Sequence, residues 1–188
     1  MPNTLSENDY ETAAFLLQCE VATIKAVADV ESAGSGFLAD GRAKILFEGH
    51  IFYKRTHGAY AADHPTICYP VWTSKFYQGG AAEYDRLQEA EALDPTAARM
   101  SASYGKFQIM GFNFPLCGFN SIDDFYDAMQ TGEFEQLNAF CEYVKHTGLD
   151  VELQNHNWTA FATKYNGPEY WRNSYDQKLQ AAYAKYAG

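Results

Sequence analysis

Between Val21 and Phe37 the chain changes its apolar period, and the change leaves a carboxylate at the boundary. Val21, Ile24 and Ala28 recur at steps of three and four, the spacing of one buried helix face. The stripe continues to Glu31, and Gly34-Ser35-Gly36 then breaks the helix. Burial disfavours a charged carboxylate, and the partial negative charge at a helix C-terminus acts in the same direction. Both effects favour a carboxyl group that stays protonated near neutral pH, which is what a general acid needs to protonate a leaving oxygen. The glycines leave little bulk over it, so a substrate can approach. The plainer alternative is a Glu31 at the helix rim, paired with a nearby Lys or Arg.

After the break the pattern becomes strand-like. Residues 36–54, GFLADGRAKILFEGHIFYK, hold an apolar run, an Asp40-Gly41 turn signal and a second run with Ile45, Phe47 and Ile51. This predicts a β-hairpin. Alternation puts Leu46 and Glu48 on the face opposite Ile45 and Phe47. A hairpin folded over the end of the second helix would bring Glu48 across a cleft from Glu31. Paired carboxylates across a cleft hydrolyse glycosidic bonds, one as acid and the other as base or nucleophile. Glu48 could instead be a solvated strand residue, and Asp40, a rival acid, is explained by its turn.

The rest reads as helices around one long loop. Ser6 with Asp9 forms a capping-box pattern for a helix through about Gln18. Residues 57–80, rich in Pro, Gly and aromatics, read as a loop, and a loop of this length in a compact domain is usually functional. Its Trp72, Phe76 and Tyr77 are candidates for a groove wall, with core packing as the alternative. Helix starts are expected at Asp94-Pro95, at Ser121 with Asp124, at Asn157, and at Ser174 with Gln177, and Gly148 is expected to end a helix. The fold class is therefore α+β, mostly α-helical, with one small β-hairpin in the N-terminal third. The 188 residues suit one domain over 1–188.

Composition excludes several functions. A formal net charge of −10 argues against nucleic acid and anionic membrane as partners. No apolar run approaches the ~18 residues of a membrane span. No basic-then-apolar N-terminal segment marks secretion, so the chain is expected to be made in the cytoplasm. Cys19, Cys68, Cys117 and Cys141 form no CxxC pair and are expected to be reduced, and no HExxH is present. Neither a metal nor a cofactor is implied. Aromatic residues make up 16% of the chain, enough both to fill a core and to line a groove for sugars.

Three stretches then stand in order: ADVESAGSGF, SASYGKFQIMGFN and FATKYNGPEY. A helix ending in Glu-Ser, a Ser-x-Gly-x-Phe-Gln-Ile motif and a Tyr-Asn-Gly resemble the lysozyme-like superfamily, including goose-type lysozymes and soluble lytic transglycosylases. ILFEGHIFYK and YPVWTSKFYQGGAAEYDRL are similar, more closely, to the N-acetylmuramidase catalytic domain of phage endolysins. The resemblance implies a lysozyme-like fold and cleavage of the β-1,4 bond between N-acetylmuramic acid and N-acetylglucosamine in peptidoglycan. It implies Glu31 as general acid, Ser103, Tyr104 and Gln108 on the cleft floor around an acetamido sugar, and Tyr165 and Asn166 near the catalytic carboxyl. A Tyr165 hydroxyl bonded to Glu31 would help set its proton state. Read without the resemblance, Tyr104 to Ile109 is helix packing and Tyr165-Asn166-Gly167 a helix cap.

The expected protein is a monomeric lysozyme acting on the glycan strand, with Trp72 as groove wall and Glu48 as second carboxylate. An endolysin of this kind waits in the host cytoplasm and reaches the wall in the periplasm after release. Two departures from relatives stand out: no separate wall-binding module is visible, and the chain is acidic where many lysozymes are basic. The rivals are a lytic transglycosylase, which needs one Glu and leaves 1,6-anhydro ends, and a non-catalytic wall-binding module.

Overall fold

The structure, a computed structural model, describes residues 4–32 and 34–188, and the side chains of Glu31 and Ser32 also lie outside the described residues. Local chemistry sets several helix starts. Ser6 and Asp9 form the capping box of α1 (Glu7–Leu17), the Ser6 N–H donating to Asp9 Oδ2 at 2.8 Å. Helix α2 (Val21–Ser32) buries Ile24, Val27 and Ala28 completely or nearly so, with Val21 half-buried. The apolar stripe read from the sequence is therefore the face that α2 turns to the core.

The expected hairpin forms only in part. Phe37 and Ala43 make an isolated antiparallel bridge around the Asp40-Gly41 turn, closed by the Leu38 N–H on the Arg42 carbonyl at 2.8 Å. Strand β1 covers only Ile45–Phe47, and α3 (Gly49–Arg55) follows at once, so Ile51 is helical rather than extended. The reason lies in the core. Turning into a helix after Glu48 brings Phe52 back beside Phe47, with ring centroids 5.8 Å apart and both side chains fully buried. Gly49 permits that turn, because a Cβ there would lie 2.3 Å from the Tyr69 ring.

The main partner of β1 comes from far along the chain. It pairs antiparallel with β2 (Ala102–Tyr104), Ile45 opposite Tyr104 and Phe47 opposite Ala102, and β2 pairs with β3 (Ile109–Met110). The stretch from Tyr104 to Ile109 is thus the turn of a small sheet and not a helix.

Residues 57–79 form neither helix nor strand, as expected, but they drive Ile67, Cys68 and Tyr69 into the core. Then come α4 (Glu83–Glu91) and α5 (Pro95–Met100), the latter capped by Asp94, which accepts the Ala97 N–H at 2.9 Å. Ser121 caps α6 (Ile122–Thr131), and α7 (Glu133–Thr147) ends at left-handed Gly148. Helices α8 (Asp150–Gln154), α9 (Trp158–Tyr165, capped by Asn157) and α10 (Tyr175–Ala187) complete the chain.

The cap expected at Ser174 is absent. Ser174 is left-handed, φ 53°, and makes no side-chain cap bond. An N-cap hydroxyl reaches the helix N–H groups from extended backbone, which this residue lacks.

Helix α7 runs through the core, where Phe140 stacks on Phe107 at 4.5 Å. Helix α2 is packed between α1 and α10. Three of the four cysteines are buried, and burial pushes the thiols of Cys117 and Cys141 up to about 12. Among the described residues no helix is long and apolar enough to cross a membrane.

Candidate active site

Several of the residues singled out from the sequence stand at or next to the ends of elements, while Ser103 lies within β2 and Trp72 within the loop 57–79. The main chain of Glu31 lies in the last turn of α2, and its carboxyl lies outside the described residues, as does its relation to Glu48 and to the Tyr165 hydroxyl. The chain leaving α2 is held firmly. Gly34 O accepts from Lys106 Nζ at 2.7 Å, and the Gly36 N–H donates to Glu133 Oε1 at 2.7 Å. Lys106 and Glu133 are both buried and 3.4 Å apart, and Gln136 Oε1 takes the Lys106 N–H at 2.7 Å. The segment after the proposed acid is therefore bolted to the β2–β3 turn on one side and to α7 on the other.

Glu48 sits between β1 and α3, where its N–H donates to the Ser101 carbonyl at 2.8 Å. Its side chain is not freely solvated: only 14% is exposed. Oε2 accepts from the Tyr77 hydroxyl at 2.7 Å, and His50 Nδ1 lies 3.2 Å from the same oxygen. Trp72 Nε1 in turn donates to Tyr77 Oη at 3.1 Å, while the Trp72 side chain stays 60% exposed. Burial, reinforced by the Glu48 hydrogen bond, raises the Tyr77 hydroxyl above the usual phenol range. Burial lowers the His50 imidazole, against the opposing pull of Glu48. Trp72 and Tyr77 thus line the surface at Glu48, whereas Phe76 packs on Tyr69 at 5.1 Å.

The Ser-Tyr-Gly-Lys-Phe-Gln motif divides its roles. Ser103 Oγ donates to Gln108 Oε1 at 2.9 Å, and Gln108 Nε2 donates to Gly105 O at 2.9 Å. Gln108 has φ 48° and is exposed, whereas its neighbours from Ser101 to Ile109 are buried. The left-handed backbone lifts this one amide out of the core. Gln108 shares with Tyr143, Tyr165, Met110 and Asn113 a pocket of about 90 Å³. The Tyr165 hydroxyl donates to the Phe107 carbonyl at 2.8 Å, and its ring packs on Phe161 and Phe140. Asn166, half-buried, closes α9 with its N–H on Ala162 O at 2.9 Å.

Tyr104 is the correction. Its side chain is 1% exposed, edge-on to Phe125 and Tyr126, with its hydroxyl on the Arg99 carbonyl at 2.9 Å. A ring so placed belongs to the core, and only the main chain of Tyr104 is left to meet a sugar.

Two buried ion pairs were not foreseen: Lys106–Glu133, and Glu83 with Arg86, 2.8 Å apart. Glu83 had a signal. It shares the helical spacing of buried Leu87 and Ala90, the pattern that drew attention to Glu31. Nothing local marked Lys106.

A mostly helical α+β domain with a small antiparallel sheet, a helix ending in Glu-Ser and a carboxylate-bearing strand end is of the lysozyme-like class. Residues 20–187 match the family model described as N-acetylmuramidase, and the chain belongs to that family, glycoside hydrolases acting on peptidoglycan. Among solved structures, the crystal structure of Burkholderia AP3 phage endolysin is similar at 40% identity and TM-score 0.93, covering 100% of this chain and 72% of that one. No curated protein matches.

Proposed function

We propose that this chain is the catalytic domain of a phage endolysin that hydrolyses the β-1,4 bond after N-acetylmuramic acid, with Glu31 as general acid and Glu48 as second carboxylate. The observation that carries the pair is the environment of Glu48: a largely shielded carboxylate whose Oε2 is taken by Tyr77 and faced by His50, beside an exposed Trp72. Among the described residues no hydrogen bond occupies Oε1. That oxygen is the one to polarise a water or to stabilise positive charge on the sugar as the glycosidic bond breaks. Glu31, at a helix C-terminus, protonates the leaving oxygen.

Substrate is held on both sides of this centre. Trp72 offers a flat ring to a sugar face. Gln108 and Ser103 form the polar floor, and the pocket of about 90 Å³ between Gln108 and Tyr165 is of a size for an acetamido group. Asn166 stands next to Tyr165 at the same end of α9. Residues 1–188 act as one catalytic domain and as a monomer. Made in the host cytoplasm, it meets the wall after release, and its acidity keeps it from nucleic acid and anionic membrane.

The test is mass spectrometry of soluble products from purified peptidoglycan, with wild type, Glu31→Gln and Glu48→Gln in parallel. Hydrolysis gives reducing N-acetylmuramic acid ends, lost in Glu31→Gln. Anhydro ends, with an active Glu48→Gln, would replace this reading by a transglycosylase. Intact peptidoglycan with every protein would leave only a wall-binding module.

A further inference from the structure

We propose that Glu83, with Arg86, is a positioning residue that fixes the Tyr77–Glu48 hydrogen bond; this rests on the reading of Glu48 as second carboxylate. Glu83 opens α4 and is fully buried. Its Oε1 accepts the N–H groups of Gln78 and Gly79 at 2.6 and 3.1 Å. Its Oε2 accepts the Phe47 N–H at 3.1 Å and Arg86 Nη1 at 2.8 Å. Phe47 immediately precedes Glu48, and Gln78 immediately follows Tyr77. One carboxylate therefore ties together the two main-chain segments whose next side chains meet at 2.7 Å.

Arg86 completes the clamp. Nη1 also donates to the Phe47 carbonyl at 2.8 Å, so the pair holds both peptide groups of Phe47. The guanidinium lies 5.2 Å from the Phe47 ring centroid and 5.9 Å from that of Tyr77. A buried ion pair is a poor device for stability alone, because desolvation offsets most of its attraction and an apolar pair fills the same space at least as well. What an apolar pair cannot do is accept three backbone N–H groups from two separate segments. Residues 57–79 have no regular structure to set the position of Tyr77, and this carboxylate supplies the missing register.

Glu83→Gln preserves volume but turns one oxygen into a donor, which then faces N–H groups. The Tyr77 and Glu48 segments separate, and a displacement near 1 Å at a reacting group costs roughly 100-fold in turnover. The experiment is a double-mutant cycle of kcat and KM on soluble peptidoglycan fragments with wild type, Glu83→Gln, Glu48→Gln and the double variant. The Trp72 indole N–H resonance, assigned through Trp72→Phe, is followed in the same proteins.

Expected are a fall in kcat with little change in KM, no further fall when Glu83→Gln is added to Glu48→Gln, and a shifted Trp72 resonance with those of Trp158 and Trp171 in place. Equal losses of kcat in both backgrounds, or an unmoved Trp72 resonance in a folded Glu83→Gln protein, overturns the proposal. Full kcat in Glu48→Gln would instead refute the catalytic role of Glu48, and the Trp72 resonance would still decide whether Glu83 sets the geometry. If Glu83→Gln does not fold, Arg86→Lys, which loses the paired contact with Phe47, must shift the same resonance.

Discussion

Gly105→Ala should destabilise the protein far more than Gly148→Ala, although the two glycines share nearly the same backbone conformation. Their φ angles are 71° and 68°. The left-handed backbone charges an L-residue about 1–2 kcal/mol at either position. The surroundings differ. A Cβ on Gly148 meets nothing within 4 Å, whereas one on Gly105 would lie 2.4 Å from Gln136 Cδ and 2.7 Å from its Oε1. Gln136 cannot simply move aside, because it is 1% exposed and its amide bonds the Lys106 N–H at 2.7 Å and the Met129 carbonyl at 2.9 Å. Displacing it strands two buried backbone groups, each costing about 1–3 kcal/mol. The total for Gly105→Ala is then about 3–8 kcal/mol, against about 1–2 kcal/mol for Gly148→Ala. Urea unfolding of both variants, with the slope checked for constancy, measures the difference. A gap below about 1 kcal/mol would refute the argument that Gln136 is locked and the β2–β3 turn held by it.

Two further perturbations separate binding from stability. Trp72→Ala should leave the thermal midpoint within a degree or two and raise KM roughly two- to tenfold, since an exposed ring adds about 0.5–1.5 kcal/mol of specific contact; a lowered midpoint with an unchanged KM would make Trp72 structural. Glu83 should contribute acid sensitivity: burial opposes its ionisation, but the N–H groups of Gln78, Gly79 and Phe47, together with Arg86, outweigh burial and hold its pKa below the ordinary 4.5. A depressed folded pKa gives stability that is present above 4.5 and lost as pH falls through the folded value, so urea midpoints should fall more steeply below pH 4.5 in wild type than in Glu83→Gln.

What was legible in the sequence was what neighbouring residues decide. The capping side chains of Ser6, Asp94, Ser121 and Asn157 act within three residues of themselves, and each does so in the structure. Ser174 had the same local pattern and failed, because the preceding turn Tyr170–Asn173 delivers it in a left-handed conformation. The sheet was only half visible. Strands of two or three residues carry almost no period of their own, and Ile45 meets Tyr104 only once the whole loop and the three helices α3, α4 and α5 between them are folded. Tyr104 illustrates the same limit within its motif: its ring is buried, and only the left-handed backbone at Gln108 brings a side chain of that stretch to the surface.

Four of the candidate catalytic and binding residues share a mechanical problem that helix and strand regularity cannot solve. Glu31 ends α2, Glu48 falls between β1 and α3, Gln108 occupies the β2–β3 turn, and Tyr165 ends α9. Element ends are where backbone bonding runs out and where local opening is easiest. Two buried carboxylates hold the main chain near these ends. Glu133, with Lys106, takes the N–H of Gly36 beyond α2, and Glu83, with Arg86, takes the N–H groups beside Glu48 and Tyr77. Neither pair sits on an exposed face where its charge would serve solubility, and each binds main chain rather than side chain. The apolar core places α2 and β1, and the buried carboxylates hold the main chain beyond α2 and the main chain next to Glu48 and Tyr77.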